Sequence, residues 1–146
     1  MASEAVKTEA NVAFLFPGQA SQAVGMGKDL YEESPAAREI FNEVDETLGR
    51  SLTSLMFDGP IEDLTNTANA QPAIAAVSLA THASLTETLG YEPRPAMSAG
   101  HSLGEYSALA VSGVLSLPDT IKLVVERGRV MQVACDERPG GMAALI

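Results

Sequence analysis

Apolar positions along the chain fall into short continuous runs separated by longer segments with helical spacing. Residues 11–16 form one such run. A run this short, rich in aromatic and branched residues, is typical of a strand buried on both faces of a parallel sheet. Residues 95–99 form a second short apolar segment and predict another buried strand. The pattern therefore predicts an α/β fold with a parallel sheet and flanking helices.

A surface helix is predicted between the two strands. Ser34 is a favourable N-cap, Pro35 suits the first helical position, and Gly49 suits the C-terminal cap. The apolar residues of this segment recur at helical spacing and form one stripe: Ile40, Phe41, Val44 and Leu48.

The segment 73–89 predicts a buried helix. It follows Gln71 and Pro72, is rich in alanine, is apolar almost all round and stops at Gly90. Such a helix is expected to pack against the sheet, where small alanines allow close approach to the strands. We interpret His82, inside this helix, as a structural histidine rather than a catalytic one.

Three further segments predict helices. Residues 52–64 contain a Gly-Pro turn and predict short helical pieces, and residues 105–111 predict a helix after the second strand. Ser116, Pro118 and Asp119 form the start of another helix. Its core-facing side is predicted to contain Ile121, Val124, Val125, Gly128 and Met131.

The two ends of the chain differ in character. Residues 1–10 are polar and predict a flexible leader, whereas residues 11–146 predict part of one large domain. The final residues, 142–146, are apolar and predict a strand that enters a structure outside this sequence. We therefore expect the chain to be part of a larger fold.

Composition and charge restrict the possible partners. The net charge is −10, from 19 acidic and 9 basic residues, which argues against nucleic acid and anionic membranes as partners. No apolar run approaches the roughly 20 residues of a membrane span, and the N-terminus lacks an export signal. Cys135 is the only cysteine, which excludes an internal disulfide. These features predict a cytoplasmic protein. The sequence contains no cluster of metal-ligand residues, so no metal site is expected.

Residues 98–105 contain the candidate nucleophile. Gly100, Ser102 and Gly104 form the pattern Gly-x-Ser-x-Gly, which places a serine on a sharp turn from a strand to a helix. Side chains at the two glycine positions would collide with the adjacent strand and helix. The predicted strand before the motif and helix after it provide this context.

A serine nucleophile also needs an oxyanion hole and a base. The backbone N–H of Leu103 follows the serine and is the first expected donor; Gln19, in the loop after the first strand, is the second. In elbow enzymes the base is a histidine later in the chain, but no histidine follows His101. His101 adjoins Ser102, and adjacent side chains on a tight turn normally point apart. The sequence therefore predicts a nucleophile without its base.

Four motifs, in order and at family-like spacing, resemble those of malonyl-CoA:acyl-carrier-protein transacylases. They are PGQASQAVGMG at 17–27, QPA at 71–73, GHSLGEYSA at 100–108 and RGRVMQ at 127–132, and GGMAA at 140–144 resembles the strand that follows. The similarity spans residues 11–146. One departure is Ala20, where the family usually has glycine.

The resemblance implies an α/β-hydrolase-like core into which a small ferredoxin-like subdomain is inserted, beginning where this chain stops. It implies ping-pong transfer of a malonyl group from malonyl-CoA to the phosphopantetheine thiol of acyl carrier protein, in fatty acid or polyketide biosynthesis. No cofactor is expected. The family's catalytic histidine lies beyond residue 146, so the chain alone is expected to be inactive, with the C-terminal portion of the same fold as a necessary partner.

The resemblance also assigns roles to single residues. Ser102 would carry the malonyl group, Gln19 and Leu103 would form the oxyanion hole, and His101 would line the site. Arg127 would bind the malonate carboxylate, with Gln71 close by. From the residues alone, Arg127 could equally form an exposed ion pair with Glu126. Its neighbour Arg129 is expected to be structural.

Two other functions fit parts of the pattern. A generic serine esterase or thioesterase shares the elbow, but needs no cation for a substrate carboxylate. A fragment without catalytic activity could instead bind carrier protein or a complementary chain.

Overall fold

The computed structural model describes residues 8–138 and 140, which form two strands and seven helices. In chain order the elements are β1 (Thr8–Phe16), α1 (Lys28–Glu33), α2 (Pro35–Leu48), α3 (Leu52–Asp58), α4 (Ile61–Thr65), α5 (Thr67–Leu89), β2 (Arg94–Gly100), α6 (Gly104–Val111) and α7 (Leu117–Glu137). Strand β1 begins three residues earlier than the apolar run predicted. The rest of the predicted leader, residues 1–7, and the predicted strand 142–146 lie outside the described residues.

Strands β1 and β2 pair in parallel, as predicted. The register places Ala13 opposite Met97 and Phe16 opposite Gly100. Both strands therefore end at the same edge of the sheet, and the loops that follow them meet there. In open α/β sheets, this carboxyl edge is where ligands bind.

The predictions that β1 is buried on both faces and that β2 is a buried strand are wrong for the described residues. Leu15 and Met97 lie on the same face and are 76% and 63% exposed. Helix α6 packs against both strands, and Phe14 on the opposite face contacts His82 of α5. In the described part of the chain, helices cover only one face of the two-stranded sheet. The face that carries Leu15 and Met97 is therefore exposed.

Helices α2, α3, α4, α5 and α7 contribute residues to the hydrophobic core. The prediction that α5 packs mainly against the sheet is therefore wrong, because its main partners are α2 and α7. Fully buried alanines along α5 allow these helices to approach closely, and larger side chains fill the remaining space. Those completely buried include Phe41, Leu52, Met56, Leu64, Ile74, Ile121 and Val124.

The predicted capping residues are found at the ends of α2, α5 and α7. The Ser34 hydroxyl accepts from the Ala37 N–H at 3.1 Å at the start of α2, and Ser116 accepts from Asp119 in the same way at the start of α7. Gly49 ends α2 with a left-handed φ of 63°. Helix α1 was not predicted from the pattern.

Helix α5 begins six residues earlier than predicted. Asn66 is its N-cap, and its side-chain oxygen accepts from the Ala68 N–H at 3.0 Å. Pro72 therefore lies inside the helix rather than at its start. A proline in the second turn removes one backbone donor and crowds the carbonyl four residues earlier.

No helix in the described part of the chain combines the length and hydropathy needed to cross a membrane. Cys135 is a free, exposed thiol on α7.

His82 is a half-buried histidine on α5. Its ring meets Phe14 edge-on with 5.8 Å between the ring centroids, and its Nε2 is buried without a hydrogen-bond partner among the described residues. Burial lowers the pKa of His82, and the nearby Glu92 carboxylate partly opposes this shift. These contacts agree with the structural role interpreted from the sequence.

The stability of the chain should depend on the protonation of His82. Because its pKa is lower in the folded state than the usual unfolded value of about 6.5, the unfolded chain binds more protons just below that pH. Stability contributed by neutral His82 is therefore present above about pH 6.5 and lost as the pH falls through the folded pKa. We expect the melting temperature of His82→Gln to change less between pH 7.5 and 5.5 than that of the unsubstituted chain. His101→Gln is the matched control, and an unchanged pH dependence in His82→Gln would contradict the prediction.

Candidate active site

The elbow has the predicted strand–turn–helix geometry. Strand β2 ends at Gly100 and helix α6 begins at Gly104. Ser102 between them has a φ of 54°, a left-handed conformation that is uncommon for residues other than glycine and clusters at functional sites. The Gly104 N–H closes the turn by donating to the His101 carbonyl at 3.0 Å.

Two glycines make this turn possible, as predicted. A Cβ on Gly100 would lie 2.0 Å from the carbonyl carbon of Gly104, and a Cβ on Gly104 would lie 2.4 Å from the carbonyl oxygen of Phe16. Both distances are far below van der Waals contact, and both neighbours are backbone atoms. Only glycine fits at either position.

The loop after β1 lies against the elbow. The His101 N–H donates to the Phe16 carbonyl at 3.0 Å, and a Cβ on Gly18 would lie 2.4 Å from Nδ1 of His101. His101 is therefore in the site region, beside this loop. Its side chain makes no hydrogen bond to Ser102 across the described residues.

Ala20 holds a strained conformation in the same loop. Its φ is 79°, which costs an L-residue about 1–2 kcal/mol and costs glycine nothing comparable. This is the physical reason for a preference for glycine at this position. The loop keeps its shape through local bonds, including one from the Ala20 N–H to Oε1 of Gln22 at 2.9 Å.

Arg127 of α7 reaches across to the elbow serine. Its Nη2 donates to Oγ of Ser102 at 2.8 Å, and its Nη1 donates to Oε1 of Gln71. No carboxylate of the described residues forms an ion pair with Arg127. A half-buried guanidinium held by neutral partners retains its capacity to bind an anion.

The alternative ion pair between Glu126 and Arg127 does not form. Glu126 instead pairs with Arg129, at 2.6 and 2.8 Å, on the exposed side of α7. The hydrogen bond from Arg129 lowers the pKa of Glu126. The exposed ion pair of Glu126 is therefore formed with Arg129 and not with Arg127.

Gln71 holds the guanidinium in place. Its side chain is completely buried, accepts from Arg127 through Oε1, and donates through Nε2 to the sulfur of Met131 at 3.2 Å. With both ends of the amide occupied, Gln71 has one stable orientation, and this orientation directs Arg127 toward Ser102.

The two expected oxyanion donors flank the elbow, although their role stays a prediction. The Leu103 side chain is fully buried, and its N–H has no hydrogen-bond partner within the described ranges. The Gln19 side chain donates through Nε2 to Oγ1 of Thr67 at 3.1 Å. The Gln19 backbone N–H is therefore the group of this residue that remains for an oxyanion.

Ser102 has no base among the residues that the structure describes. Its hydroxyl contacts Arg127, a permanent cation that cannot accept a proton at neutral pH. The same residues contain no cluster of three or more potential metal ligands. The arrangement supplies a strained serine, backbone donors and a cation, which suits acyl transfer from a substrate that carries a carboxylate.

Sequence reasoning missed the residues that support this site. Thr67 binds Gln19, Met131 binds Gln71, and Gln132 accepts from the Thr67 N–H through Oε1 at 3.2 Å. The signal for Thr67 was the preceding Asn66, a strong N-cap residue. Because the predicted helix began after Pro72, Asn66 was not recognised as its N-cap.

Comparisons with known proteins agree with the geometry. A family model described as acyl transferase domain matches residues 13–146. The chain is 50% identical over 135 residues to the malonyl CoA-acyl carrier protein transacylase of Bacillus subtilis (strain 168), covering 92% of this chain and 42% of that protein. The chain thus spans well under half the length of such relatives.

Solved structures give the same picture. The crystal structure of acyl-carrier-protein-S-malonyltransferase from Bartonella henselae matches with 51% identity and a TM-score of 0.78, over 84% of this chain and 39% of that one. A second match, with 43% identity, a TM-score of 0.77 and the same coverage, is a type II PKS acyl-carrier protein in complex with its malonyl-transacylase.

Proposed function

This chain belongs to the acyl transferase domain family, and on that premise we propose that it forms the part of a malonyl-CoA:acyl-carrier-protein transacylase that carries the nucleophile. Ser102 attacks the thioester carbonyl of malonyl-CoA and forms a malonyl-serine ester, with coenzyme A as the leaving thiol. The phosphopantetheine thiol of acyl carrier protein then attacks this ester, which restores the serine hydroxyl and leaves malonyl on the carrier.

The hydrogen bond between Arg127 and Ser102 carries this proposal. A guanidinium whose Nη2 lies 2.8 Å from the nucleophile can bind the free carboxylate of a malonyl group attached to that serine. Its planar fork suits two carboxylate oxygens. A simple esterase or thioesterase has no use for an unpaired cation at this distance, so the observation favours malonyl transfer.

The oxyanion of the tetrahedral intermediate would be stabilised by backbone donors. The Leu103 N–H follows the nucleophile, and the Gln19 N–H comes from the loop that lies against the elbow. Donors fixed in advance stabilise developing charge without reorganisation, and removing one such donor typically lowers kcat about 10²–10³-fold. Gln71 would orient Arg127, and His101 would line the site.

The base of the reaction would come from outside this sequence. The two histidines are His82, which contacts Phe14, and His101, which does not bond to Ser102. The relatives continue well beyond the region that this chain matches, and we propose that an equivalent segment supplies a histidine. The chain alone would then be inactive.

Acyl carrier protein is the proposed acceptor, and the pathway is fatty acid or polyketide synthesis in the cytoplasm. Support for the acceptor comes from the related malonyl-transacylase solved in complex with an acyl-carrier protein. The net charge of −10 disfavours contact with any acidic protein, so binding to such a partner would require locally clustered basic side chains.

The proposed function can be tested with two proteins. One is the 146-residue chain, and the other is a chimera in which this chain replaces the matching 42% of the Bacillus subtilis transacylase. Each is mixed with labelled malonyl-CoA, and the label is located by peptide mapping. We expect label on Ser102 of the chimera, its discharge by phosphopantetheinylated carrier protein, and no rapid labelling of the chain alone.

Two outcomes would count against these claims. Discharge of the chimera to water rather than to the carrier thiol would identify a hydrolase. Rapid, stoichiometric labelling of Ser102 in the isolated chain would show that the chain contains its own base.

A further inference from the structure

We propose that Thr67 and Gln132 are positioning residues that anchor residues 17–22, here called the Gln19 loop, to helices α5 and α7. The catalytic part of this inference rests on the proposed function. Neither residue contacts the nucleophile. Thr67 bonds to the loop that is expected to hold an oxyanion donor, and Gln132 bonds to Thr67.

The first link fixes the side chain of Gln19. Its Nε2 donates to Oγ1 of Thr67 at 3.1 Å, although Gln19 itself is exposed and 48 residues away in sequence. Among residues 8–138, the other side-chain bonds of this loop, such as that from Ser21 Oγ to the Gly18 carbonyl at 2.8 Å, lie within the loop. The Thr67 bond is therefore the side-chain tie that connects the loop to a helix.

The second link fixes Thr67. Its N–H, a donor in the first turn of α5 that has no partner within the helix, donates to Oε1 of Gln132 at 3.2 Å. The Gln132 amide is itself held, because its Nε2 donates to Oδ1 of Asp136 at 2.9 Å. Helix α7 thus provides a side-chain cap for helix α5.

Close backbone packing at the same place supports the link. A Cβ on Gly128 would lie 3.0 Å from the Thr67 carbonyl oxygen and 3.2 Å from Cα of Ala68. Glycine at this position allows α7 to approach the start of α5 closely enough for Gln132 to reach Thr67. Gln132 and Gly128 of α7 therefore both lie against the backbone of Thr67, and the Thr67 hydroxyl accepts from Gln19.

In this arrangement, helix α7 positions both the cation of the site and the loop with the expected oxyanion donor. Arg127 extends from this helix to Ser102, and Gln132, five positions later, reaches the Gln19 loop through Thr67. The spacing between the carboxylate-binding cation and the oxyanion donor is then set by one rigid element. Misplacement of such groups by about 1 Å can lower a rate by about 10²-fold.

Thr67→Val is the discriminating variant, since valine keeps the shape and the backbone N–H and removes the hydroxyl. Two matched variants are Thr67→Ser, which keeps a hydroxyl, and Thr81→Val. Thr81 lies on the same helix, and its hydroxyl donates only along that helix, to the Val77 carbonyl at 2.7 Å.

The first measurement uses the 146-residue chain and does not depend on activity. Amide hydrogen exchange of residues 17–22 is followed by mass spectrometry. We expect Thr67→Val to exchange about tenfold faster than the unsubstituted chain in this segment, because the loop loses its tie to the helix. Thr67→Ser and Thr81→Val should match the unsubstituted chain. Unchanged exchange in Thr67→Val overturns the anchor.

The second measurement uses the chimera described above. Thr67→Val should lower kcat about tenfold with little change in KM, and equally for malonyl and acetyl groups, because an oxyanion forms with either. Gln19→Leu should give a similar loss, and the double variant should lose no more than either single one. Additive losses, or a loss confined to malonyl, would overturn the role in catalysis.

The two proposals fail in different ways. If the unsubstituted chimera transfers no malonyl group, the proposed function fails, and hydrogen exchange still decides whether Thr67 anchors the loop. If the chimera is active and Thr67→Val transfers both acyl groups at the full rate, the positioning role fails alone.

Discussion

Arg127→Ala in the chimera is expected to lower kcat/KM for malonyl transfer about 100-fold and to change acetyl transfer by less than about threefold. The reason is the geometry of the guanidinium, which is held by the buried Gln71 amide and directed at Ser102. A malonyl group offers it a carboxylate, whereas an acetyl group offers only a methyl. The measurement is the ratio of rates with malonyl-CoA and acetyl-CoA.

Arg129→Ala is the matched control for this experiment. It removes the same side chain two positions away, where the guanidinium forms an exposed pair with Glu126, and exposed pairs contribute little to stability. Malonyl transfer should be unchanged. Equal losses with both acyl groups in Arg127→Ala would show that Arg127 supports the serine rather than recognising the carboxylate.

Gly100→Ala is expected to destabilise the chain severely. The added Cβ would lie 2.0 Å from the Gly104 carbonyl carbon and 2.2 Å from the Glu105 nitrogen, so strand β2 and helix α6 would have to separate. We expect a loss of more than about 4 kcal/mol in the free energy of unfolding, which is exceptional for one substitution. Circular dichroism during urea titration measures it.

Gly113→Ala separates this collision from the general effect of replacing a glycine. Gly113 has a φ of 74° and nothing within 4 Å of the position of an added Cβ. Its replacement should cost only the left-handed backbone penalty, about 1–2 kcal/mol. A Gly100→Ala chain as stable as Gly113→Ala would mean that the elbow is looser than its backbone distances imply.

The sequence predicted those features of the site and of the helices that depend on only a few neighbouring residues. The glycines around Ser102 follow from the space available at a sharp turn, and Ser34, Ser116 and Gly49 follow from capping. Such features depend on a few neighbouring residues, so a single sequence contains the information. The parallel pairing of the two strands also followed from their apolar character.

Contacts that cross between elements could not be predicted in the same way. Nothing local to Thr67 indicates that its hydroxyl meets Gln19 or that its N–H meets Gln132, because these bonds depend on how α5 and α7 pack. The exposure of Leu15 and Met97 has a similar origin. An apolar strand pattern indicates which residues avoid water, but not whether this chain supplies the layer that covers them.

The uncovered sheet determines how the chain will behave when it is concentrated. Along the bare face lie Leu15 and Met97, and within the described residues each strand has one edge without a hydrogen-bonded neighbour. Open edges of this kind are templates for pairing between molecules, while a net charge of −10 keeps the molecules apart. Salt screens that repulsion, with a Debye length of about 10 Å at 0.1 M. Dilute, low-salt buffers therefore favour single molecules, and high salt favours association.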